Sequence, residues 1–480
     1  MPVLADERVP EQRRELARPP QLRQARQLVA AEGKLRQRLQ LADRLRQGRQ
    51  LIREELQFLQ SPKLAKALWT DLNFNSLRLW HWTWHGRKKF RPGIKSLQER
   101  YVNNKVIAHA QKAGMDTILL TGDHFPPDMT TKNDKGQTVI KHESLKEYAG
   151  ILADLVLKAK QQNNIEIGYV GVQNEPGAHD PFRPEDFPPA VKYLRKALNE
   201  RGLKNVKIVA PESAGVSSQF FKTLDLLKAD PEAWKALDVI ATHSYGMVAD
   251  QKLEKIIEES GKPLWITEAS NAPPDDCRAA STVTGLCLND LNHMTNRWMW
   301  FIGYAGRTKN WNAGGTGARL IQFWYKPDPF RMEEILKYYY FKSLSNSFSV
   351  GCKFRKSISS LEGRMHWRGK SAKCPKITVS AAKNSDGSWG IAALNYTTGP
   401  NTPPDVTPGW KWPRRPGYPE KEYEVTVFVE ELAGAGEQVF KVKECSDKLK
   451  NADAGTIKMK NGKFTFKLKP MHLKTFRSVE

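Results

Sequence analysis

The chain has 480 residues, a length that suits one barrel-sized domain with a smaller companion. Hydrophobic residues make up 40% of the chain and aromatic residues 10%, which excludes a chain that is disordered throughout. There are 76 Lys and Arg against 52 Asp and Glu, a formal net charge of +24, so the surface either favours polyanions or is simply well solvated.

The sequence shows no membrane span and no export signal. No apolar run approaches the length that crosses a bilayer, and residues 1–14 lack the apolar stretch of a signal peptide. The five cysteines form no CxxC pair. Cys277 with Cys287, and Cys352 with Cys374, could each close a local loop in an oxidising compartment. The odd count leaves the redox compartment open.

Residues 1–60 differ in composition from the rest of the chain. They are rich in Arg, Gln and Leu and contain no Trp or Tyr. Leucines at roughly helical spacing over residues 21–60 predict a helix there. This segment is either a basic helical appendage, a tether for nucleic acid or membranes, or a gene start read in the wrong frame.

From residue 72 onward, short apolar runs alternate with longer helical patterns. This alternation predicts parallel strands with right-handed crossovers, and its length favours a (β/α)₈ TIM barrel over residues 61–345 rather than an open sheet. The first barrel strand should precede Ser76, but no convincing pattern marks it. Strands are predicted at residues 76–80, 117–121, 166–172, 206–210, 239–243, 263–267 and 318–324. Helices are predicted at residues 97–113, 144–162, 188–201, 219–227 and 252–260.

Residues 346–480 have an all-β pattern. Asn-Ser-Asp-Gly at residues 384–387 is a strong hairpin signal between predicted strands 376–382 and 389–395. Three further strands are predicted at residues 422–429, 464–468 and 473–476. The C-terminal region is therefore predicted to be a small β-sandwich that packs beside the barrel.

Two glutamates follow predicted barrel strands. Glu175 comes after the fourth strand and Glu268 after the seventh, and catalytic groups of such barrels lie at these C-terminal strand ends. Glycoside hydrolysis needs such a pair, one acid to protonate the leaving oxygen and one carboxylate to attack or to activate water. Glu212 follows the fifth strand at the same face, where we expect it to brace a loop.

The residues around both acids resemble the motifs of clan A glycoside hydrolases. Asn-Glu-Pro at residues 174–176 resembles the acid/base motif, and Trp-Ile-Thr-Glu at residues 265–268 resembles the nucleophile motif. Residues 121–130 resemble the third-strand loop of glycoside hydrolase family 30, although His124-Phe125 stands where that family has Trp. The resemblance covers about residues 72–325 and implies a retaining β-glycoside hydrolase with a side β-sandwich.

The resemblance also implies roles for single residues. Glu268 would be the nucleophile and Glu175 the acid and later the base, with their carboxyl groups about 5–5.5 Å apart. His243 and Tyr245 share a face after the sixth strand, where the Tyr would donate to the nucleophile, unless both serve packing. The implied substrate-binding residues, including two tryptophans that would stack on sugar or else pack in the core, are Arg78, Trp80, Asn174, His243, Tyr245 and Trp324.

Three functions remain open at this level. The leading one is hydrolysis of a β-linked oligo- or polysaccharide by double displacement through a glycosyl-enzyme intermediate. The alternative is a polyanion-binding protein whose barrel is a scaffold, although nucleic acid is the less expected partner. The third joins them, with the basic surface steering an acidic polysaccharide. No metal or cofactor is implied. The resemblance favours a secreted or periplasmic protein, yet no signal peptide is found, and the oligomeric state stays open.

Overall fold

The computed structural model describes most of the chain after residue 45. The described residues are 46–50, 62–82, 94–103, 105–123, 125, 127–177, 182–245, 249–270, 276–307, 318–324, 331–361, 375–398 and 418–479. The segment 1–45, which holds most of the predicted N-terminal helix, lies outside them.

Eight parallel strands close into a barrel, which confirms the predicted fold class. Their order around the barrel follows the chain, and the ring closes because the first strand pairs with both the second and the last. The strands are β1 (Arg46–Gln50), β2 (Ser76–Trp82), β3 (Thr117–Asp123), β4 (Tyr169–Gly171), β5 (Lys207–Ser213), β6 (Val239–His243), β7 (Leu264–Ala269) and β8 (Thr295–Phe301).

Two barrel strands differ from the sequence prediction. The missing first strand is β1, which lies inside the segment predicted to be helical. Its five residues, Arg-Gln-Gly-Arg-Gln, show no apolar alternation, and only pairing with β2 and β8 makes them a strand. The last strand is β8 rather than residues 318–324, and the latter belong to a separate small sheet.

The five predicted helices lie between barrel strands, although one is interrupted and further helices there were not predicted. The predicted helix 97–113 is interrupted, since Gln98–Val102 form a π-helical turn and Lys105 adopts a left-handed φ of 56°. The helix Cys277–Asn292 was not predicted, because nearly all of its residues are buried and it carries no polar stripe. The helices are α1 (Pro62–Ala65), α2 (Ile94–Leu97), α3 (Val106–Lys112), α4 (Leu145–Asn163), α5 (Phe187–Glu200), α6 (Ser218–Ala229), α7 (Pro231–Ala236), α8 (Gln251–Ser260), α9 (Cys277–Asn292) and α10 (Leu336–Ser347).

The barrel interior is filled by a cluster of side chains separate from the core outside the strands. Trp265 and Met299 are buried in it. The guanidinium carbon of Arg297 lies 4.0 Å from the ring centroid of Trp265, a cation–π contact inside the barrel. This packing occupies the barrel interior, so the acids at the C-terminal ends lie above a filled core.

A large antiparallel sheet follows the barrel, as predicted for a C-terminal β-sandwich. The predicted hairpin is confirmed by the pairing of residues 377–383 with 389–395, whereas two long strands at 437–445 and 452–460 were missed. A small sheet has the order β9 (Tyr304–Arg307), β10 (Ile321–Trp324), β11 (Arg331–Glu334), and Thr130–Lys132 pairs with Thr138–Ile140. The sandwich strands are β12 (Lys353–Arg355), β13 (Ile377–Lys383), β14 (Trp389–Asn395), β15 (Tyr423–Phe428), β16 (Glu437–Cys445), β17 (Ala452–Lys460), β18 (Lys463–Leu468) and β19 (Leu473–Val479).

The first proposed cysteine pair is wrong. Cys277 and Cys287 are buried free thiols in the same helix, α9. Ten residues of helix separate them by about 15 Å, far beyond disulfide reach. Cys374 lies outside the described residues, so its proposed pairing with Cys352 stays a prediction. In the described part of the chain, no helix is long and apolar enough to cross a membrane.

Candidate active site

The two predicted acids meet at the C-terminal face of the barrel. Glu175 follows β4 and Glu268 lies near the end of β7, and both are almost wholly buried. One carboxylate oxygen of each, together with a ring nitrogen of His243, lie within 4.8 Å of one another. So short a distance between single carboxylate oxygens is compatible with the closely spaced carboxyl groups of retaining glycosidases.

The backbone around Glu175 is held in an uncommon conformation. Its φ is +42°, a left-handed value that non-glycine residues adopt rarely and usually where the surrounding structure enforces it. The enforcing contacts are backbone hydrogen bonds, from Glu175 N to the carbonyl of Glu212 at 3.1 Å and from Asn174 N to the carbonyl of Gly122 at 2.8 Å. The neighbouring strands β3 and β5 thereby fix the direction of the Glu175 side chain.

Both oxygens of Glu268 accept hydrogen bonds from buried donors. Arg78 Nη1 donates to Oε2 at 2.6 Å, and the Tyr245 hydroxyl donates to Oε1 at 2.7 Å. Burial raises the pKa of Tyr245 well above its ordinary value, and the charge of Glu268 raises it further. The phenol therefore keeps its proton and remains a donor, so Glu268 is stabilised as an anion.

Arg78 joins the groups of the site. It is the third residue of β2 rather than the last, and its side chain is wholly buried in the barrel mouth. Besides Glu268 it binds Asn174 Oδ1 through Nη2 at 2.8 Å, and through Nε it binds Thr121 Oγ1 at 3.1 Å and Glu212 Oε1 at 3.2 Å. Burial alone would lower the pKa of Arg78, but the carboxylates of Glu212 and Glu268 outweigh burial and raise it.

His243 contacts the other acid. Its Nδ1 lies 3.0 Å from Glu175 Oε1, and its Nε2 lies 3.5 Å from Arg78 Nη2. A guanidinium can only donate, so Nε2 must present its lone pair to Arg78. The ring proton is then on Nδ1, which donates to Glu175. His243 thus orients Glu175 through this hydrogen bond.

Glu175, His243 and Glu268 also have the spacing of a metal-binding group. Their chemistry fits such a site poorly, because a metal would have to displace the donors that hold them. Arg78 places a fixed positive charge 2.6 Å from Glu268, which repels a cation. His243 directs a nitrogen that carries a proton, rather than a lone pair, at Glu175.

The structure does not describe the side chains of three residues singled out in the sequence, Trp80, His124 and Trp324. Trp80 lies in β2, but its side chain is outside the described set, as is the whole of His124. Trp324 ends β10 of the small sheet, not a barrel strand as predicted, and its side chain is not described either. The proposed sugar contacts of Trp80 and Trp324 therefore stay predictions.

The site includes two residues that the sequence did not mark as important. Thr121 in β3 binds both Arg78 and Glu212, although nothing in its local pattern sets it apart. Glu212 was expected to brace a loop, and instead its carboxylate is buried against Arg78. An acid at a barrel strand end was the available signal for Glu212.

Parts of the chain are similar in sequence to known glycosyl hydrolases. The model of glycosyl hydrolase family 59 matches residues 135–338. A glucuronoxylanase of Bacillus subtilis is 32% identical over 153 residues, which cover 30% of this chain and 34% of the relative. A galactocerebrosidase of Macaca mulatta is 30% identical over 177 residues, which cover 36% of this chain and 21% of the relative. The alignments thus span about a third of the first relative's length and a fifth of the second's.

The fold comparison extends over the whole molecule. The crystal structure of a glycoside hydrolase family 30 subfamily 8 xylanase from Clostridium acetobutylicum superposes with a TM-score of 0.66 at 17% identity, covering 91% of this chain and 97% of that one. At this identity the likeness concerns the fold, which is a barrel with a side β-sandwich. Parts of the sequence are thus similar to glycoside hydrolases, and the fold is that of the family 30 xylanase.

Proposed function

We propose that this chain is a retaining β-glycoside hydrolase that cleaves a β-linked oligo- or polysaccharide by double displacement. The observation that carries the proposal is the buried pair Glu175 and Glu268, with one oxygen of each within 4.8 Å of the other and a different set of donors around each. That spacing favours direct attack by Glu268 on the sugar, since an inverting pair needs extra room for a water between the second carboxylate and the sugar.

The first chemical step forms a covalent intermediate. A Glu268 oxygen attacks the anomeric carbon while the bond from that carbon to the glycosidic oxygen breaks, and Glu175 gives its proton to the departing oxygen. Arg78 and Tyr245 hold the Glu268 carboxylate in place before attack. Asn174, whose side chain Arg78 orients, is proposed to bind the sugar 2-hydroxyl.

The second step releases the sugar. Glu175, now ionised, takes a proton from water, the water oxygen attacks the anomeric carbon, and the bond to Glu268 breaks. His243 donates to Glu175 from Nδ1 at 3.0 Å, so it can support the anion that exists between the two steps. Trp80 and Trp324 are proposed to stack on sugar rings.

An acidic polysaccharide is the finer proposal for the substrate. A relative aligned over part of the chain is named a glucuronoxylanase, and the chain carries a net charge of +24 that would attract uronic acids. Because another relative is named a galactocerebrosidase, a galactosyl lipid is the second candidate substrate. A polyanion-binding scaffold without catalysis is less well supported, because buried charges at Arg78 and Glu268 are expensive to keep without a function.

The test compares wild type with Glu268→Gln on aryl β-glycosides and on neutral and uronic-acid-bearing β-linked polysaccharides, at low and high salt. We expect Glu268→Gln to lose at least about 10³-fold in turnover, since it lacks the nucleophile, with an unchanged circular dichroism spectrum. Glu175→Ala on an activated aryl glycoside should regain turnover when azide is added. Wild-type rates in Glu268→Gln would refute the proposal.

A further inference from the structure

Glu212 is a third carboxylate of the site, and the two-step reaction leaves it without a role. It ends up wholly buried near the end of β5, where an unpaired charge would be strongly unfavourable. Its φ of +53° is left-handed, as is that of Glu175, and its carbonyl accepts the Glu175 backbone hydrogen bond at 3.1 Å. Glu212 therefore binds Glu175 through its backbone and Arg78 through its side chain.

The Glu212 carboxylate binds the edge of Arg78 that faces away from Glu268. Arg78 Nε lies 3.2 Å from Glu212 Oε1, while Nη1 lies 2.6 Å from Glu268 Oε2. Thr121 Oγ1 lies 3.2 Å and 3.1 Å from the two Glu212 oxygens. With its Nε edge anchored, the planar guanidinium cannot rotate, and Nη1 stays aimed at Glu268.

The chain keeps space for this carboxylate at a glycine. A Cβ atom on Gly171, the last residue of β4, would overlap Glu212 Oε2 and come within 2.9 Å of Thr121 Oγ1. Gly171 has an ordinary φ, so the position does not need glycine for its backbone conformation. The close approach of Glu212 is therefore the reason that a side chain is excluded there.

We propose that Glu212 is a positioning residue that fixes Arg78 and shares its charge, so that the Glu268 carboxylate remains nucleophilic. This inference rests on the proposed function. If Arg78 faced Glu268 alone, its full charge would stabilise the carboxylate, which would attack more slowly and leave more readily. Glu212 balances Arg78 from the other side, which favours formation of the intermediate.

Removing the charge of Glu212 should therefore affect the two chemical steps differently. In Glu212→Gln the amide retains an oxygen for Arg78 but loses the charge, so formation of the intermediate should slow by about tenfold or more, roughly 1.4 kcal/mol per tenfold. Breakdown of the intermediate should not slow, because Glu268 becomes the better leaving group. A purely structural brace would not produce opposite effects on the two steps.

The experiment uses the full chain and a dinitrophenyl glycoside of the sugar that wild type hydrolyses. Burst kinetics and kcat/KM report formation of the intermediate, and the steady state after the burst reports its breakdown. The matched control is Glu254→Gln, which changes another buried glutamate that pairs with Lys356 rather than with the site. Equal losses in both steps, or rates equal to the control, would overturn the inference.

Two further variants test the same contact between Glu212 and Arg78. Gly171→Ala should displace Glu212 without removing its charge and lower kcat/KM by about 100-fold through misplacement of Arg78, and it serves alone if Glu212→Gln does not fold. In the double variant Gly171→Ala/Glu212→Gln, the loss in kcat/KM should be smaller than the sum of the two single losses on a free-energy scale. Both substitutions act on the same contact between Glu212 and Arg78. Absence of wild-type hydrolysis, or full activity of Glu268→Gln, would instead refute the proposed function.

Discussion

Glu175 and Glu268 are the same side chain in two different surroundings. Glu268 receives hydrogen bonds from a guanidinium and a phenol, at 2.6 Å and 2.7 Å. Glu175 accepts a hydrogen bond from the ring of His243 at 3.0 Å. A guanidinium beside one carboxyl group and an imidazole beside the other give the two acids the different surroundings that the proposed division of roles requires.

Tyr245→Phe tests the donor that does not carry charge. We expect kcat/KM to fall about 10- to 100-fold, because the hydrogen bond to Glu268 Oε1 at 2.7 Å is lost. The ring packs edge-on against His243 with centroids 5.9 Å apart, and Phe keeps that contact, so the melting temperature should change little. Steady-state kinetics beside Tyr193→Phe, on the outer helix α5, provide the comparison. Equal rates in the two variants would contradict a role for the phenol.

At the level of elements, α9 forms hydrogen bonds with β8 and with Ala249, which lies just before α8. Asp290 of this helix is wholly buried and accepts hydrogen bonds from Trp298 Nε1 at 3.0 Å and from Ala249 N at 3.2 Å. Asn289 Nδ2 binds the carbonyl of Ala249 at 3.1 Å. These contacts tie β8 and the segment before α8 to one helix. Burial raises the pKa of Asp290 to about 6.

Asp290→Asn should change how stability depends on pH. With a pKa of about 6 when folded, against 3.8 ordinarily, the folded state holds its proton over a window where the unfolded chain has lost it. Rising pH across that window therefore lowers the free energy of unfolding of wild type, by up to roughly 3 kcal/mol from this group. The asparagine of the Asp290→Asn variant does not titrate, so the variant lacks this pH-dependent decrease. In urea melts, its free energy of unfolding relative to that of wild type should therefore increase from pH 4 to pH 6. Parallel pH profiles would show that Asp290 titrates normally.

The contrast between helices explains part of the sequence prediction. Helices with one exposed face, such as α4 and α8, were located to within a residue or two by their apolar periodicity. Helix α9 was missed, because it lies between other elements and buries small and polar residues on nearly every side. Periodicity reports the boundary between core and water, so an element without such a boundary leaves no periodic pattern.

At the scale of the molecule, the barrel and sandwich share a hydrogen-bonded boundary. Ser281 of α9 binds the carbonyl of Met471 at 2.9 Å, and Asn292 binds the carbonyl of Val379 at 3.0 Å. Ser347, at the end of α10, binds the carbonyl of Phe476 at 2.8 Å. Because these hydrogen bonds cross the boundary, we expect the two parts to unfold together.

Gly390→Ala tests this coupling. A Cβ at Gly390 in β14 would overlap the carbonyl oxygen of Ser347 in α10, so we expect a loss of about 1–3 kcal/mol in the free energy of unfolding. Tryptophan fluorescence and far-ultraviolet circular dichroism should report one shared transition at the lower temperature. Gly434→Ala, where a Cβ would meet nothing within 4 Å, is the control. Two separate transitions would contradict the coupling.

The sequence by itself determined the fold class and the two acids, because both are local in the chain. Strand and helix periods are set by near neighbours, and a parallel barrel brings its C-terminal strand ends to one face. Only the tertiary structure decided the first and last barrel strands and the place of Glu212. The strand β1 exists through its pairing with β2 and β8, and Arg78 meets Glu212 across 134 residues. Such contacts form only when the barrel closes, and no local pattern of residues in the sequence predicts them.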